Sequence, residues 1–372
     1  MDDLVRQQIT LVESKTKASV PWGPDKPIAQ PYHSWANRKW QPIEAAPSLV
    51  SSTASGRTPQ TLALYAWNVD FMLPFPGSRM RAALHHLQSQ HIAKQDHSIA
   101  TVVFLQECVV SDLKLIASTP WVRAGFYITD LDGSNWASGH YGTTTLIDRR
   151  LPIDECFRVH YAKTRMQRDA LFVDVELSSR GLNGQKQDGQ KQADQKQDGQ
   201  KQDGQKQDDS TVNVTKVIRL CNVHLESLAN SPPFRPAQME LCASYMHAPN
   251  VDAAIIAGDM NAIQDFDKHL HTDNNLQDAY LALGGRETTE DAESSGHTWG
   301  QQAATVQRER FGTCRMDKIF FCGKVSCSNF KRFGADVLIE DAQEAEMVVE
   351  LGFDKAWVTD HLGIKAVFDI IA

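Results

Sequence analysis

Short apolar runs recur along the chain from residue 61 onward, and most have the length and composition of β-strands. Residues rich in Val, Ile, Leu and Phe occupy positions 61–70, 99–107, 141–148, 169–177, 216–227, 253–261, 314–323 and 361–370. Residues 78–90 and 236–247 instead repeat apolar side chains with the 3.6-residue period of a helix, and Pro236 suits a first helical turn. Because strands and helices interleave while several strands are adjacent, the pattern predicts an α/β fold with a mixed sheet, or two packed sheets, and helices outside.

The first 58 residues lack such a pattern. Residues 1–58 are rich in Pro, Ser and Ala and show no clear period, which predicts a partly disordered N-terminal arm rather than a domain. Trp22, Trp35 and Trp40 suggest that parts of this arm lie against the core. A partner-binding tail is the alternative.

A tandem repeat built on Gly-Gln-Lys-Gln-Asp interrupts the second half of the chain. It contains no apolar residue larger than Ala, so it cannot bury enough surface to offset the cost of ordering. We predict a disordered loop at about residues 181–212 between two strands. Because lengthening a loop costs little free energy, the repeat need not split the fold, and residues 59–372 are predicted to form a single domain.

Composition limits the protein class. The 372 residues are 41% hydrophobic, enough for a substantial core, and the formal net charge of −8 does not favour a nucleic-acid binder. The seven cysteines are scattered without a C-x-x-C pair, which argues against a disulfide framework and against a zinc site. The N-terminus lacks the apolar segment of a secretory signal, and no apolar run reaches membrane-spanning length. We therefore expect a soluble, intracellular protein.

Polar side chains follow or interrupt these apolar runs. They are Asn68, Asp70, Glu107, His224, Glu226, Ser227, Asp259, Asn261, Asp317, Asp360 and His361. Each alone fits an ordinary turn or cap, but packed strands would bring such ends to one rim of a sheet. Carboxylates without cysteine suit a hard cation such as Mg²⁺. No Walker-type loop is present, so P-loop nucleotide hydrolysis is not expected.

The motifs WN, LQE, HLES, GDMN and TDH, in that order, resemble the endonuclease/exonuclease/phosphatase superfamily over about residues 61–370. The resemblance implies a deoxyribonuclease-I-like fold: a four-layer α/β/β/α sandwich of two packed mixed sheets flanked by helices. Within the superfamily, FLQE, HLES, GHTWG and CRMDKIFF are most similar to the tyrosyl-DNA phosphodiesterase 2 group, which removes a tyrosine adduct from a DNA 5′ end.

The resemblance also implies a metal site. Glu107 matches the principal Mg²⁺ ligand, with Asn68 and Asp70 nearby, and Asp360 lies beside the metal. Mn²⁺ is expected to substitute for Mg²⁺.

The resemblance further implies catalytic roles. Asp259 matches the group that activates or orients the attacking water, and Asn261 and His224 match residues that hold the phosphate. His361 matches the cation that stabilises charge on phosphorus, and Asp317 matches the carboxylate that orients that histidine.

The resemblance implies substrate contacts for Ser227, Trp299 and Arg168, and Arg315 and Arg165 are further basic candidates for substrate contact. The alternative for the arginines is solvated surface, and for Trp299 it is core packing.

Two departures from this group fall on the groove for DNA rather than on the chemistry. Ile263 stands where the group has a basic residue, and the arginine that closely follows HLES in the group is missing. Arg235 comes later and could substitute.

We therefore expect a Mg²⁺-dependent phosphodiesterase that removes 5′-phosphotyrosyl adducts from DNA ends, acting as a monomer in the nucleus, with the cytoplasm as the alternative location. The alternative functions are the same chemistry on abasic-site DNA, an RNA 3′ tail or a phospholipid headgroup, or a non-catalytic binding protein.

Overall fold

Two mixed β-sheets pack face to face, with helices on their outer surfaces, in the computed structural model. It describes residues 23–44, 59–94, 96, 98–179, 214–287 and 296–371. The predicted four-layer α/β/β/α class is confirmed. Among the described helices, none is long and apolar enough to cross a membrane.

The first sheet has seven strands in the order β1-β8-β9-β10-β11-β13-β12. Their bounds are β1 Pro27–Ala29, β8 Ile153–His160, β9 Asp169–Ser179, β10 Val214–His224, β11 Ala253–Asp259, β12 Gln277–Asp278 and β13 Asp317–Gly323. The pair β10 and β11 is parallel, and the other neighbours are antiparallel.

The second sheet has eight strands in the order β14-β15-β4-β5-β7-β6-β2-β3. Their bounds are β2 Tyr32–Ala36, β3 Lys39–Ile43, β4 Thr61–Asn68, β5 Ile99–Val109, β6 Phe126–Ile128, β7 Tyr141–Asp148, β14 Val325–Phe333 and β15 Gly363–Ile370. Here β4 and β5 form the parallel pair.

The helices lie outside the two sheets. They are α1 Pro76–His86, α2 Val110–Ser118, α3 Pro120–Gly125, α4 Arg235–Met246, α5 Leu270–Asp273, α6 Ala279–Ala282, α7 Thr305–Phe311 and α8 Ala342–Glu350. Side chains alternate between layers along each central strand: Ile255 joins the core between the sheets, whereas Ile256 joins the core that includes Met239 and Cys242 of α4. The same alternation in β4 and β5 packs the second sheet against α1 and α2.

The predicted domain boundary at residue 59 is wrong for part of the N-terminal arm. Residues 27–43 supply β1, β2 and β3, so both sheets include strands from the segment that the sequence assigned to an arm. Strands β1 and β3 lie at the edges of their sheets and contain Pro27 and Pro42. An edge strand tolerates proline because its outward face needs no ladder hydrogen bond, which is why proline content misleads here.

The Gly-Gln-Lys-Gln-Asp repeat lies outside the described residues, as do residues 1–22 and 45–58 of the arm. Its flanks are described: β9 and β10 pair antiparallel, with Ser179 opposite Val214. The repeat therefore connects neighbouring strands of one sheet, as the sequence predicts. All seven cysteines are free thiols.

Candidate active site

The ends of five strands meet at one rim of the sandwich. In the second sheet, parallel β4 and β5 place Asn68 beside Gln106, and in the first sheet parallel β10 and β11 place His224 beside Asp259. Antiparallel β13 begins opposite the end of β11, with Asp317 paired to Asp259. Because the carboxyl ends of the parallel pairs and the start of β13 coincide, side chains far apart in sequence converge there.

Backbone geometry aims two of these side chains. A β-bulge between Leu105 and Cys108 turns Glu107 into the left-handed region, at φ 60°. Gly258 has φ 139°, and a Cβ at this position would lie 2.0 Å from the carbonyl oxygen of Val223. Only glycine fits this approach of β10 and β11, which sets the position of Asp259.

Glu107 and Asp259 are bridged by the amide of Asn68. Asn68 Nδ2 donates to Glu107 Oε1 at 3.1 Å and to Asp259 Oδ2 at 3.0 Å. The second Glu107 oxygen accepts from the backbone N–H of Phe71 at 2.9 Å. These contacts fix both carboxylates across the gap between the two sheets.

Asp259 is the centre of the cluster. Its Oδ2 lies 3.3 Å from His224 Nε2 and 3.8 Å from His361 Nε2, and its Oδ1 accepts from the backbone N–H of Asn261 at 2.8 Å. Burial opposes ionisation of this carboxyl, but His361, His224 and the Asn261 N–H together hold the pKa of Asp259 below its usual range. Asp259 is therefore an ionised carboxylate.

His361 is held by a buried carboxylate. Its Nδ1 lies 2.8 Å from Asp317 Oδ2, and the backbone N–H of Asp317 donates to Thr298 Oγ1 at 3.0 Å. Burial alone would lower the pKa of His361, but the charges of Asp317, Asp259 and Asp360 raise it well above its usual value. The imidazolium form is therefore favoured at neutral pH.

His224 has the opposite charge state. Arg168 Nη1 lies 2.6 Å from His224 Nδ1, and Arg168 Nη2 donates to Ser227 Oγ at 3.0 Å. A guanidinium can only donate, so His224 Nδ1 accepts and its proton resides on Nε2, which faces Asp259. Burial and the positive charge of Arg168 both lower the pKa of His224, so this ring is neutral.

The predicted metal ligands Glu107, Asp70 and Asp360 are carboxylates, and the charge of Asp70 acts on both of the others. Burial, followed by the negative charge of Asp70, raises the pKa of Asp360 to about 7. Burial and Asp70 also raise the pKa of Glu107, although His224 and Arg168 oppose this. An oxygen donor set whose charges disfavour one another suits a hard divalent cation.

Two sets of side-chain donors, each within 4.8 Å of one another, could also hold an ion: Glu107, His224 and Asp259, or Asp259, Asp317 and His361. Glu107 is common to the first set and to the predicted ligands. The residues thus form a possible acidic and histidine metal site.

Trp299 and Asn261 lie at the same rim. Trp299 Nε1 donates to Asp360 Oδ2 at 2.7 Å, so the indole positions a predicted metal ligand. Asn261 Nδ2 donates to the carbonyl oxygen of Leu225 at 3.0 Å.

Arg315 is not brought into the cluster. Its guanidinium is buried and paired with both oxygens of Asp278, and its Nε donates to Glu287 at 2.7 Å. The structure therefore does not bring Arg315, a predicted substrate contact, together with the cluster, because its guanidinium is paired with Asp278 and Glu287. Arg235 does not replace the missing groove arginine either, since it is buried in a bidentate pair with Asp267.

Two residues that contact and position the site residues, Thr359 and Tyr141, were not predicted from the sequence. Thr359 Oγ1 donates to the carbonyl oxygen of Asn68 at 2.9 Å and accepts from the His361 N–H at 3.2 Å. Tyr141 stacks on Phe71 with ring centroids 4.1 Å apart, and the guanidinium of Arg168 lies over the Tyr141 ring, 5.2 Å from its centroid. Thr359 belongs to the TDH motif, through which it could have been identified, whereas no motif in the sequence marks Tyr141.

The sequence comparison supports the resemblance. The model of the Endonuclease/Exonuclease/phosphatase family matches residues 231–361, which include Asp259, Asn261, Asp317, Asp360 and His361. A search of curated proteins gives no match.

Solved structures share the fold. Humanized D. rerio TDP2 carrying 14 mutations is 19% identical, with a TM-score of 0.55 over 83% of this chain and 99% of that one. D. rerio TDP2 complexed with a single-strand DNA product is 18% identical, with a TM-score of 0.52 over 83% and 99%. An endonuclease/exonuclease/phosphatase family protein from Bacteroides thetaiotaomicron is 12% identical, with a TM-score of 0.50 over 83% and 98%.

Proposed function

We propose that this chain is a divalent-metal-dependent phosphodiesterase that releases tyrosine from 5′-phosphotyrosyl DNA ends. Its fold and the family match over residues 231–361 support its assignment to the endonuclease/exonuclease/phosphatase superfamily. The superfamily fold supports a hydrolase acting on phosphate esters. The observation that carries the proposal is that a charged His361 and a neutral His224 both converge on an ionised Asp259, with their Nε2 atoms 3.8 Å and 3.3 Å from Asp259 Oδ2.

Asp259 would orient the attacking water. Its carboxylate is fixed by Asn68, which donates to Oδ2, and by the Asn261 N–H, which donates to Oδ1. Because its pKa is held low, Asp259 is a weak base, and holding water in line with the phosphorus is its main contribution.

His361 would neutralise charge that builds on the phosphoryl oxygens. Asp317 holds its Nδ1, so Nε2 carries a proton toward Asp259 and the substrate phosphate. A preorganised cation in a buried site stabilises developing negative charge more than solvent does.

The phosphate would also be held by the neutral His224 and by Ser227 and Asn261. Arg168 fixes the tautomer of His224, so that its Nε2–H is a donor, and Arg168 orients the Ser227 hydroxyl as well. One guanidinium would thus orient two groups toward the same phosphate.

Glu107, Asp70 and Asp360 would hold the cation, for which we propose Mg²⁺ with Mn²⁺ as a substitute. When bound, Mg²⁺ supplies positive charge to the phosphoryl oxygens. The leaving group is a phenolate with a pKa of about 10, so it needs no buried general acid.

DNA as the substrate is supported by the FLQE, HLES and GHTWG motifs and by the fold shared with TDP2 in complex with single-strand DNA product. A role at DNA ends would imply a nuclear pool.

The proposal is tested by incubating the folded protein with a 5′-tyrosyl oligonucleotide and Mg²⁺. We expect a 5′-phosphate product whose formation EDTA abolishes. The Asp259→Asn substitution should lower kcat by roughly 10²–10⁴-fold. Absence of product from the wild-type protein would refute the proposal.

A further inference from the structure

Arg165 is an exposed cation next to the phosphate-holding side of the candidate site. Within the described residues its guanidinium contacts Asn230 and Phe234 and forms no ion pair with a carboxylate. This sets it apart from Arg168, Arg235 and Arg315, which are each buried.

The backbone at Arg165 is fixed by a buried carboxylate. Glu226 Oε1 accepts from the backbone N–H of Arg165 at 2.9 Å and of Met166 at 3.1 Å, and Glu226 Oε2 accepts from Thr164 Oγ1 at 2.6 Å. Because Glu226 directly precedes Ser227, this clamp ties the Arg165 backbone to the segment that carries a predicted phosphate contact.

The side chain is placed as well. Its guanidinium lies 5.6 Å from the ring centroid of Phe234, and Nη1 lies 3.4 Å from Asn230 Oδ1. Asn230 Nδ2 in turn donates to the carbonyl oxygen of Ser227 at 2.8 Å. Two hydrogen bonds therefore connect the exposed guanidinium to Ser227.

We propose that Arg165 binds the phosphodiester that neighbours the scissile phosphate in a single DNA strand, and that it determines the preference for oligonucleotides over mononucleotides. This inference rests on the proposed function. An arginine stacked on an aromatic ring, with donors facing solvent, is preorganised for a phosphate. On a chain with a net charge of −8, such a local cation is what a nucleic-acid strand would need at this edge.

The experiment compares Arg165→Ala with the wild-type protein on two substrates: a 5′-tyrosyl oligonucleotide, and thymidine 5′-monophosphate esterified to 4-nitrophenol, which has only the scissile phosphate. We expect KM for the oligonucleotide to rise by about 3- to 10-fold with kcat unchanged, and the mononucleotide parameters to stay the same. The salt dependence of oligonucleotide affinity should weaken by about 0.7 in log–log slope, as for one lost contact to a single strand.

Two further variants serve as controls. Arg165→Lys keeps the charge and should retain most of the oligonucleotide affinity. Arg123→Ala removes another arginine that lies over an aromatic ring, that of Trp35. Arg123 precedes β6, whose Phe126 pairs with Asp148 at the end of β7 opposite Tyr141, so it lies away from the site. This variant should leave both substrates unaffected.

The outcomes separate the two claims. If Arg165→Ala changes neither substrate, or changes both equally, the inference about Arg165 is overturned while the phosphodiesterase activity stands. If the wild-type protein turns over neither substrate, the proposed function fails, and the inference fails with it.

Discussion

Two buried histidines in the cluster have opposite charge states, and each state has an identifiable cause. Burial penalises the charged form of both rings. Three carboxylates outweigh that penalty at His361, whereas Arg168 adds to it at His224. One histidine is thereby a cation and the other a neutral hydrogen-bond donor, although both have the same intrinsic chemistry.

Replacing Asp317 with Asn should show that the charge state of His361 depends on the neighbouring carboxylates. A group whose pKa is raised keeps its proton until the pH rises through that raised value, so wild-type activity should fall only well above pH 6.5. Without the Asp317 charge the pKa of His361 drops, and the alkaline limb of the kcat profile should move to lower pH. We also expect kcat to fall on the order of 10²-fold. The measurement is kcat between pH 5 and about 10.

Asp278→Asn is the matched control, since Asp278 is a buried carboxylate paired with Arg315 outside the cluster. It should lower the free energy of unfolding but leave the alkaline limb in place. An unshifted limb in Asp317→Asn would show that His361 does not act through this carboxylate.

At this scale the sequence identified the candidate side chains that meet at the rim, such as Asp259, Asp317 and His361, because they occur in ordered motifs. It offered both Arg168 and Arg315 as substrate contacts, because the side-chain partners of an arginine near a strand are not visible in the sequence. What distinguishes them is the acceptor: His224 and Ser227 for Arg168, but Asp278 and Glu287 for Arg315. Such partners are defined only by the fold.

At the scale of elements, the site depends on how closely β10 and β11 approach each other. Gly258 makes this possible, since any Cβ there would contact the backbone of Val223. Asp259 directly follows Gly258, so a shift of β11 would displace it. Its contacts with His224, His361 and Asn68 would then change.

Gly258→Ala should therefore damage both stability and activity. We expect the free energy of unfolding to fall by roughly 1–3 kcal/mol from overpacking and backbone strain, and kcat to fall even in protein that remains folded. Urea unfolding and steady-state kinetics measure the two effects.

Gly125→Ala is the control, because a Cβ at Gly125 meets no atom within 4 Å. It should leave both quantities nearly unchanged. Wild-type stability in Gly258→Ala would contradict the close approach of the two strands.

The long central strands were predictable because each is a continuous apolar run ending in polar residues. The edge strands β1 and β3 were not, since they are short and contain proline. Helix α8 also escaped prediction: among its side chains only Val348 is fully buried, so the apolar period is weak.

At the scale of the whole molecule, the chain carries a long repeat between two paired strands. The register of β9 and β10 continues to Ser179 and Val214, the last described residues on either side of the segment that contains the repeat. The rim with Asp259 lies at the opposite end of β10, beside His224.

Replacing residues 181–212 with a short Asn-Gly turn should therefore leave catalysis intact. We expect kcat/KM on the 5′-tyrosyl oligonucleotide to stay within about twofold, because the loop joins the far end of the strands. Stability should rise by up to about 2 kcal/mol, since each halving of loop length contributes about 0.6 kcal/mol. A large loss of kcat/KM would instead assign the repeat a part in substrate binding.

The central claim is the combination of this metal-dependent site with a phosphotyrosyl DNA substrate. Its most direct test compares kcat/KM for equal-length oligonucleotides that carry a 5′-tyrosyl group, an abasic site or an RNA 3′ tail, together with a phospholipid headgroup ester, each with Mg²⁺ and with EDTA. We predict that the 5′-tyrosyl substrate is preferred by at least about tenfold, or 1.4 kcal/mol in transition-state stabilisation, and that EDTA abolishes turnover. Equal or faster turnover of another ester, or turnover that persists in EDTA, would contradict the account.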